Sequence, residues 1–185
     1  MTFEYVIEEL GVNASLNYDV DFNYMTAAFE SGIADYCTMF EPTASDYEAE
    51  GKGYIVASVG EQSGEIPYTC FAAKESYINE NPEKIEGLLR AVTKATKFVM
   101  ENDAATVAEY LVPYFDGTSE ESLANSVQAY KDIDAWVANM AMEEAAFTRL
   151  QDVIENSGEL ERRVDFDELI LTDVAQKVYE EVYGI

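Results

Sequence analysis

The residues of this chain that could do chemistry are acids. Asp19 with Asp21, Asp132 with Asp134 and Asp165 with Asp167 are aspartate pairs of the kind a glycosidase could use at the right separation. In 185 residues holding 37 Asp and Glu, however, such pairs arise by chance. None fits the D-x-[DN]-x-[DN]-G-x₅-E calcium loop. The chain has no histidine, which removes Ser-His and Cys-His nucleophiles, the common zinc ligand sets and the usual proton carrier near neutral pH. Neither G-x-G-x-x-G nor G-x-x-x-x-G-K-[ST] occurs, so no dinucleotide fingerprint or P-loop is available. The expectation is a protein with no catalytic residue, no metal ligand and no cofactor. Cys37 and Cys70 each fall in an apolar run and are expected to be free, buried thiols.

Two acids stand out by position. Asp21 and Glu41 both fall where a predicted strand gives way to a helix, the edge at which open α/β sheets bind ligands. They either face one crevice or do local work, Asp21 capping its helix and Glu41 complementing a helix dipole; spacing alone favours the local reading. Trp136, the only tryptophan, lies between helices in Asp132-Ile133-Asp134-Ala135-Trp136. It lines a pocket or lids the core, and spacing does not choose between these.

Strands and helices must position these groups. Phe3, Val6, Ile7 and Leu10 have helical spacing, with Gly11 as the stop. Leu16, Tyr18 and Val20 alternate like a strand, after which Asp21 precedes a helix presenting Phe22, Met25 and Phe29. Tyr36 to Phe40 is a second predicted strand, and Pro42 suits the first turn of the helix that follows, closed by Gly51 and Gly53. Tyr54 to Val59 reads as a strand covered on both faces, Gly60 to Gly64 as a turn or hinge, and Pro67 to Ala73 as a further strand. Beyond residue 75 the pattern is helical. Asn81 caps a helix with Pro82 in its first position and a stripe of Ile85, Leu88, Leu89, Val92 and Val99. Asp103 caps the next, Thr118 with Glu121 makes a capping box before Leu123, Val127 and Tyr130. A helix through Phe147, Leu150, Val153 and Ile154 stops at Gly158, and a last one starts at Thr172.

The chain carries 11 Lys and Arg against 37 acids, a net charge of −26. Such a surface repels phosphate backbones and anionic lipids, so neither nucleic acid nor a membrane surface is an expected partner. With 48% hydrophobic residues, the chain can bury a core in one domain or in two small lobes. No apolar run approaches the ~20 residues of a membrane span. Met1 to Gly11 reads as a charged amphipathic segment and not as an export signal.

The order of several motifs carries a resemblance. Met25-Thr26-Ala27-Ala28-Phe29-Glu30-Ser31-Gly32, Phe40-Glu41-Pro42-Thr43-Ala44-Ser45 and Glu50-Gly51-Lys52-Gly53-Tyr54 are followed by Gly60-Glu61-Gln62-Ser63-Gly64-Glu65-Ile66-Pro67-Tyr68-Thr69. Tyr130 to Trp136 and Gly158-Glu159-Leu160-Glu161-Arg162-Arg163 complete the series. In this order they resemble the nitrate, sulfonate and taurine (thiamine-precursor-binding-like) solute-binding proteins of ABC importers. The resemblance implies an α/β, periplasmic-binding-protein-like (type II) fold of two lobes, here incomplete and helix-rich in its C-terminal half. Residues 1–62 would belong to lobe two and 63–185 to lobe one. It also implies a longer, extracytoplasmic, lipid-anchored parent whose export signal and first strands precede this chain. Carried over by position, the family's cleft implies ligand contacts from Asp21, Phe22, Phe40 and Glu41 on one side, and from Tyr130, Asp134 and Trp136 on the other. The implied partners are a small-molecule solute and ABC permease subunits. The strand at Tyr68 to Ala73 would lose its flanking strands and expose an apolar edge, from which a homodimer is expected. Thiamine-precursor synthases share the fold family but need a histidine, so an enzyme is disfavoured. A non-catalytic oligomeric protein with a vestigial pocket is the alternative.

Overall fold

The computed structural model describes residues 1–185 and is built from helices. In chain order they are α1 (Thr2–Glu9), α2 (Met25–Glu30), α3 (Thr43–Ala49), α4 (Val59–Ser63), α5 (Glu75–Glu80) and α6 (Pro82–Glu101). Then come α7 (Ala104–Leu111), α8 (Glu120–Asp132), α9 (Glu144–Asn156), α10 (Phe166–Leu169) and α11 (Asp173–Tyr183), with 3₁₀ turns at Phe22–Tyr24 and Val112–Tyr114. The chain divides into two compact units, Met1–Ser63 with Ala104–Ala129, and Gly64–Asp103 with Tyr130–Ile185. Residues 104–129 thus pack with the first 63. No helix is long and apolar enough to cross a membrane.

In the first unit α1 packs on α4. Val6 and Ile7 of α1, Val107 and Ala108 of α7, and Leu123 and Val127 of α8 form its buried apolar core. In the second unit the long α6 runs against α11, burying Thr93 from one and Ala175 and Val178 from the other. The Thr93 hydroxyl donates to the Leu89 carbonyl at 2.8 Å, which satisfies a polar group inside the core. Outside it, Arg90 meets Glu181 at 2.7 Å and Lys177 meets Glu86 at 2.6 Å, while Lys97 lies 4.2 Å over the Tyr183 ring. On α9, Phe147 stacks edge-on to Phe166 at 5.7 Å. The buried Gln151 amide exchanges two hydrogen bonds with the Val164 backbone, and so ties the segment before α10 to the core.

The sheet expected from the sequence is not formed. Leu16 to Val20, Tyr36 to Phe40, Tyr54 to Ser58 and Pro67 to Ala73 have no ladder partner and run as irregular chain. Alternating or continuous apolar residues make a segment fit to be a strand, but a strand exists only when a second one supplies the other half of its hydrogen bonds. Their apolar side chains remain largely in solvent: Tyr54 is 88% exposed, Tyr68 78% and Val56 72%. Cys70 is exposed and Cys37 partly buried, both as free thiols, so the expected burial of Cys70 is corrected. The predicted hinge at Gly60 to Gly64 is mostly the helix α4.

Helix starts differ from expectation in two places. Asn81 does precede α6, but its side chain accepts from Lys84 Nζ and donates to the Tyr77 carbonyl, leaving the helix amides uncapped. It ends α5 as well as starting α6, and cannot serve both with one amide. Before α8 the cap is Ser119, not Thr118: Ser119 Oγ accepts the Ser122 N–H at 3.0 Å.

Five helix ends follow one rule. α1, α2, α3 and α9 each close with a pair of backbone bonds in which a left-handed residue and its successor return to the last turn, and that residue is Gly11, Gly32, Gly51 or Gly158. α8 closes in the same way, Asp134 N–H to Lys131 O at 3.1 Å and Ala135 N–H to Tyr130 O at 2.9 Å. There the left-handed residue is Asp134, at φ 58°, where a Cβ is disfavoured.

Two predictions follow from this packing. Asp134→Gly should stabilise the chain by about 0.5–1 kcal/mol in chemical denaturation, relief of the left-handed Cβ outweighing added freedom in the unfolded chain; a loss of stability would show that the aspartate side chain contributes more than its backbone costs. Glu181 is held below the usual glutamate range chiefly by its hydrogen bond from Arg90. A carboxylate depressed on folding stabilises above its unfolded pKa and loses that contribution as pH falls through its folded value. Glu181→Gln should therefore lower stability at neutral pH and make the decline below about pH 4.3 shallower, as read from denaturation midpoints across the acid range.

Candidate functional site

In the first unit, Asp21 is an exposed cap residue. Its Oδ1 accepts the Asn23 backbone N–H at 2.9 Å and the Asn23 side-chain amide at 3.0 Å, which starts the 3₁₀ turn Phe22–Tyr24. Phe22 follows it and is 67% exposed, a costly position for a phenyl ring. Its ring meets that of Phe40, itself 47% exposed, at 6.2 Å between centroids and a tilt of 52°. Glu41 comes next in the chain and is half-buried. Its Oε2 accepts the Ser45 backbone N–H at 3.0 Å, inside the first turn of α3, where a carboxylate both satisfies an orphan amide and complements the helix dipole.

The same oxygen lies 3.3 Å from Ser126 Oγ on α8, and that hydroxyl in turn donates to the Ser122 carbonyl at 2.7 Å. Ser45, Ser122 and Ser126 are all buried and went unremarked in the sequence. A signal was present: Ser122 and Ser126 stand four apart, each just before a core residue, Leu123 or Val127. That spacing puts two hydroxyls on one buried helix face, where each needs a partner.

In the second unit, Tyr130 and Trp136 pack edge to face, with centroids 6.3 Å apart and planes at 86°. Asp134, between them in the chain, is exposed and serves as the left-handed closing residue of α8. Trp136 is half-buried, and its Nε1 is shielded from solvent with no hydrogen-bond partner. The structure therefore brings together Phe22 with Phe40, Glu41 with two serines, and Tyr130 with Trp136. It gives Asp21 and Asp134 helix-terminus work.

Elsewhere, Lys52 lies between Glu30 at 3.0 Å and Glu50 at 2.8 Å, bonds that push its ammonium pKa well above the usual lysine range, the Glu50 bond foremost. Burial pushes the Cys37 thiol up, which leaves it protonated and a poor nucleophile at neutral pH. A shallow hollow along α9, lined by Glu144, Ala145, Thr148, Arg149 and Asp152, contains none of the residues singled out from the sequence.

Comparison with known proteins gives this geometry a context. The chain is 33% identical over 185 residues to a Bacillus subtilis (strain 168) protein named "Putative binding protein YtlA", covering 98% of this chain and 55% of that protein. It thus spans about half the length of that relative. No solved structure matches the chain. The model of the NMT1-like family matches residues 1–112, well over half of the chain, and by that match the chain belongs to the NMT1-like family, whose fold is periplasmic-binding-protein-like.

Proposed function

We propose that this chain is the solute-recognising part of an extracytoplasmic binding protein that serves an ABC importer and catalyses nothing. The observation that carries the reading is the pair of exposed rings, Phe22 and Phe40, 6.2 Å apart and joined in sequence to the partly buried Glu41. Small-molecule sites are built in this way, from aromatic walls that bury an organic body and a few polar groups that orient it. Family membership and the binding role in the relative's name support it. The absence of histidine removes the most common acid–base residue and so agrees with a non-catalytic role.

On this reading residues 1–62 belong to one lobe and 63–185 to another. The family resemblance implies Tyr130 and Trp136 as further aromatic contacts of the solute, and permease subunits as partners. Glu41, an acceptor, suits a solute with hydrogen-bond donors, such as an amine or an aminopyrimidine, better than a nitrate or sulfonate. A lipid-anchored, longer parent belongs to the same proposal.

One feature favours a second reading, self-association as a homodimer. Apolar side chains at Tyr54, Val56, Tyr68 and Phe71 stand 66% exposed or more, and exposed apolar chain of this kind seeks cover.

A thermal-shift screen against sulfonates, nitrate, aminopyrimidines, riboflavin and polyamines tests the first reading. A solute at ~100 times its dissociation constant should add ~2.7 kcal/mol of stability. Phe22→Ala should weaken binding of any hit ~10-fold or more, and Glu41→Gln should weaken donor-bearing solutes selectively. Silence across the panel, together with a dimer mass by light scattering, would replace the first reading with the second.

A further inference from the structure

The segment between α3 and α4 is apolar, exposed and unpaired. Tyr54, Ile55 and Val56 stand in solvent. Of the backbone groups of Tyr54, Ile55, Val56 and Ala57, only the Ile55 N–H is bonded, to Glu48 Oε1 at 3.0 Å. The segment is nevertheless held at both ends. Lys52 N–H donates to the Tyr47 carbonyl at 2.9 Å as α3 closes, and Ser58 Oγ accepts the Glu61 N–H at 3.2 Å in the first turn of α4. A run of Tyr, Ile and Val with open N–H and C=O groups, fixed at its ends, is a template for a strand supplied from elsewhere.

Charge decides which strand fits. Lys52 is the only Lys or Arg of the first unit, against 16 Asp and Glu. It is already bonded to Glu30 and Glu50. Glu48, Glu50 and Glu61, all exposed, flank the segment in the chain. A second copy brings the same acids to the contact, whereas the cations of a basic strand meet them favourably.

We propose that Tyr54 to Ala57 is a docking edge for an extended segment of another protein in which Lys or Arg alternates with apolar residues. Successive N–H groups of a strand point to opposite edges. With the Ile55 N–H turned to Glu48, the edge of Tyr54 and Val56 is left for the partner. The partner's backbone bonds to that edge, its apolar residues cover the exposed side chains, and its cations answer the flanking acids. This docking is independent of solute binding.

The test uses the intact 185-residue chain and a fluorescent peptide of about seven alternating Lys and Val residues, an ordinary strand length. The control peptide carries Glu in place of Lys. Anisotropy should rise saturably with the Lys peptide and not with the Glu peptide, and amide hydrogen exchange should slow at Tyr54 and Val56. Val56→Pro, which removes an edge donor and no charge, should weaken the Lys peptide ~10-fold or more. No binding by the Lys peptide, binding that Val56→Pro leaves unchanged, or exchange slowed only at other residues overturns the proposal; the last two mark general attraction to an acidic surface. Slowed exchange at Tyr54 and Val56 that grows with protein concentration, without peptide, overturns it in favour of a second copy. Exchange is read on the unsubstituted chain, so it decides the matter even if Val56→Pro fails to fold. A hit in the thermal-shift panel with no peptide binding leaves solute recognition standing and removes the docking edge alone.

Discussion

Because no strand pairing occurs in this chain, its regular backbone hydrogen bonds are made inside helices, and the helix ends become the places where geometry is decided. A helix interior needs no help from the sequence beyond its apolar stripe. Its ends leave amides and carbonyls to be met by something specific. The two acids marked by position, and Asp134 carried over from the resemblance, all meet that need. Asp21 caps the turn at Phe22–Tyr24 and Glu41 meets an amide in the first turn of α3, while Asp134 closes α8 in the left-handed conformation. Each has an aromatic residue beside it in the chain: Phe22 after Asp21, Phe40 before Glu41, and Trp136 two residues after Asp134. The acids fix the backbone from which the rings project.

Charge is managed locally on a chain whose total is far from neutral. With 11 cations for 37 acids, three of the cations are each shared between two acids. Arg163 holds both Asp152 and Glu155, Lys52 holds Glu30 and Glu50, and Arg90 reaches Glu181 and Glu86. These groups are exposed, so each pair contributes little alone. Their value lies in where they fall: the Arg90 and Lys177 pairs flank the α6 and α11 contact, the longest packed seam of the second unit. There each sets a cation of one helix against an acid of the other.

How much of this was legible in the sequence depended on whether the signal was local. The stripe of α6, the stop at Gly158 and the capping by Asp21 are written within one or two helical turns, and the structure contains them. The left-handed turn at Asp134 was hidden because its usual mark, glycine, is missing. The strands failed for a different reason. Periodicity reports which side chains would suit a sheet, whereas a sheet depends on neighbours that periodicity cannot see, and Tyr36 to Phe40 and Tyr54 to Ser58 have none here. Of the residues the motif order implied, the structure pairs the rings Phe22 with Phe40 and Tyr130 with Trp136. The buried serines were not legible, since a serine beside an apolar stripe looks like any surface serine until the facing carboxylate is known.

The exposed apolar segments and the net charge bear on each other. Tyr54, Val56, Tyr68 and Phe71 are the kind of side chains that template pairing with another chain. Two copies of this chain, however, each carry a net charge of −26 as they approach. That repulsion acts over about 10 Å at 0.1 M salt and about 30 Å at 0.01 M, while apolar attraction acts only at contact. At low ionic strength the charges therefore hold copies apart before the apolar segments can meet. As salt rises, the barrier shrinks and the contact energy is unchanged. A basic or neutral surface faces no such barrier, so the same segments are open to a partner of opposite or no charge at any salt.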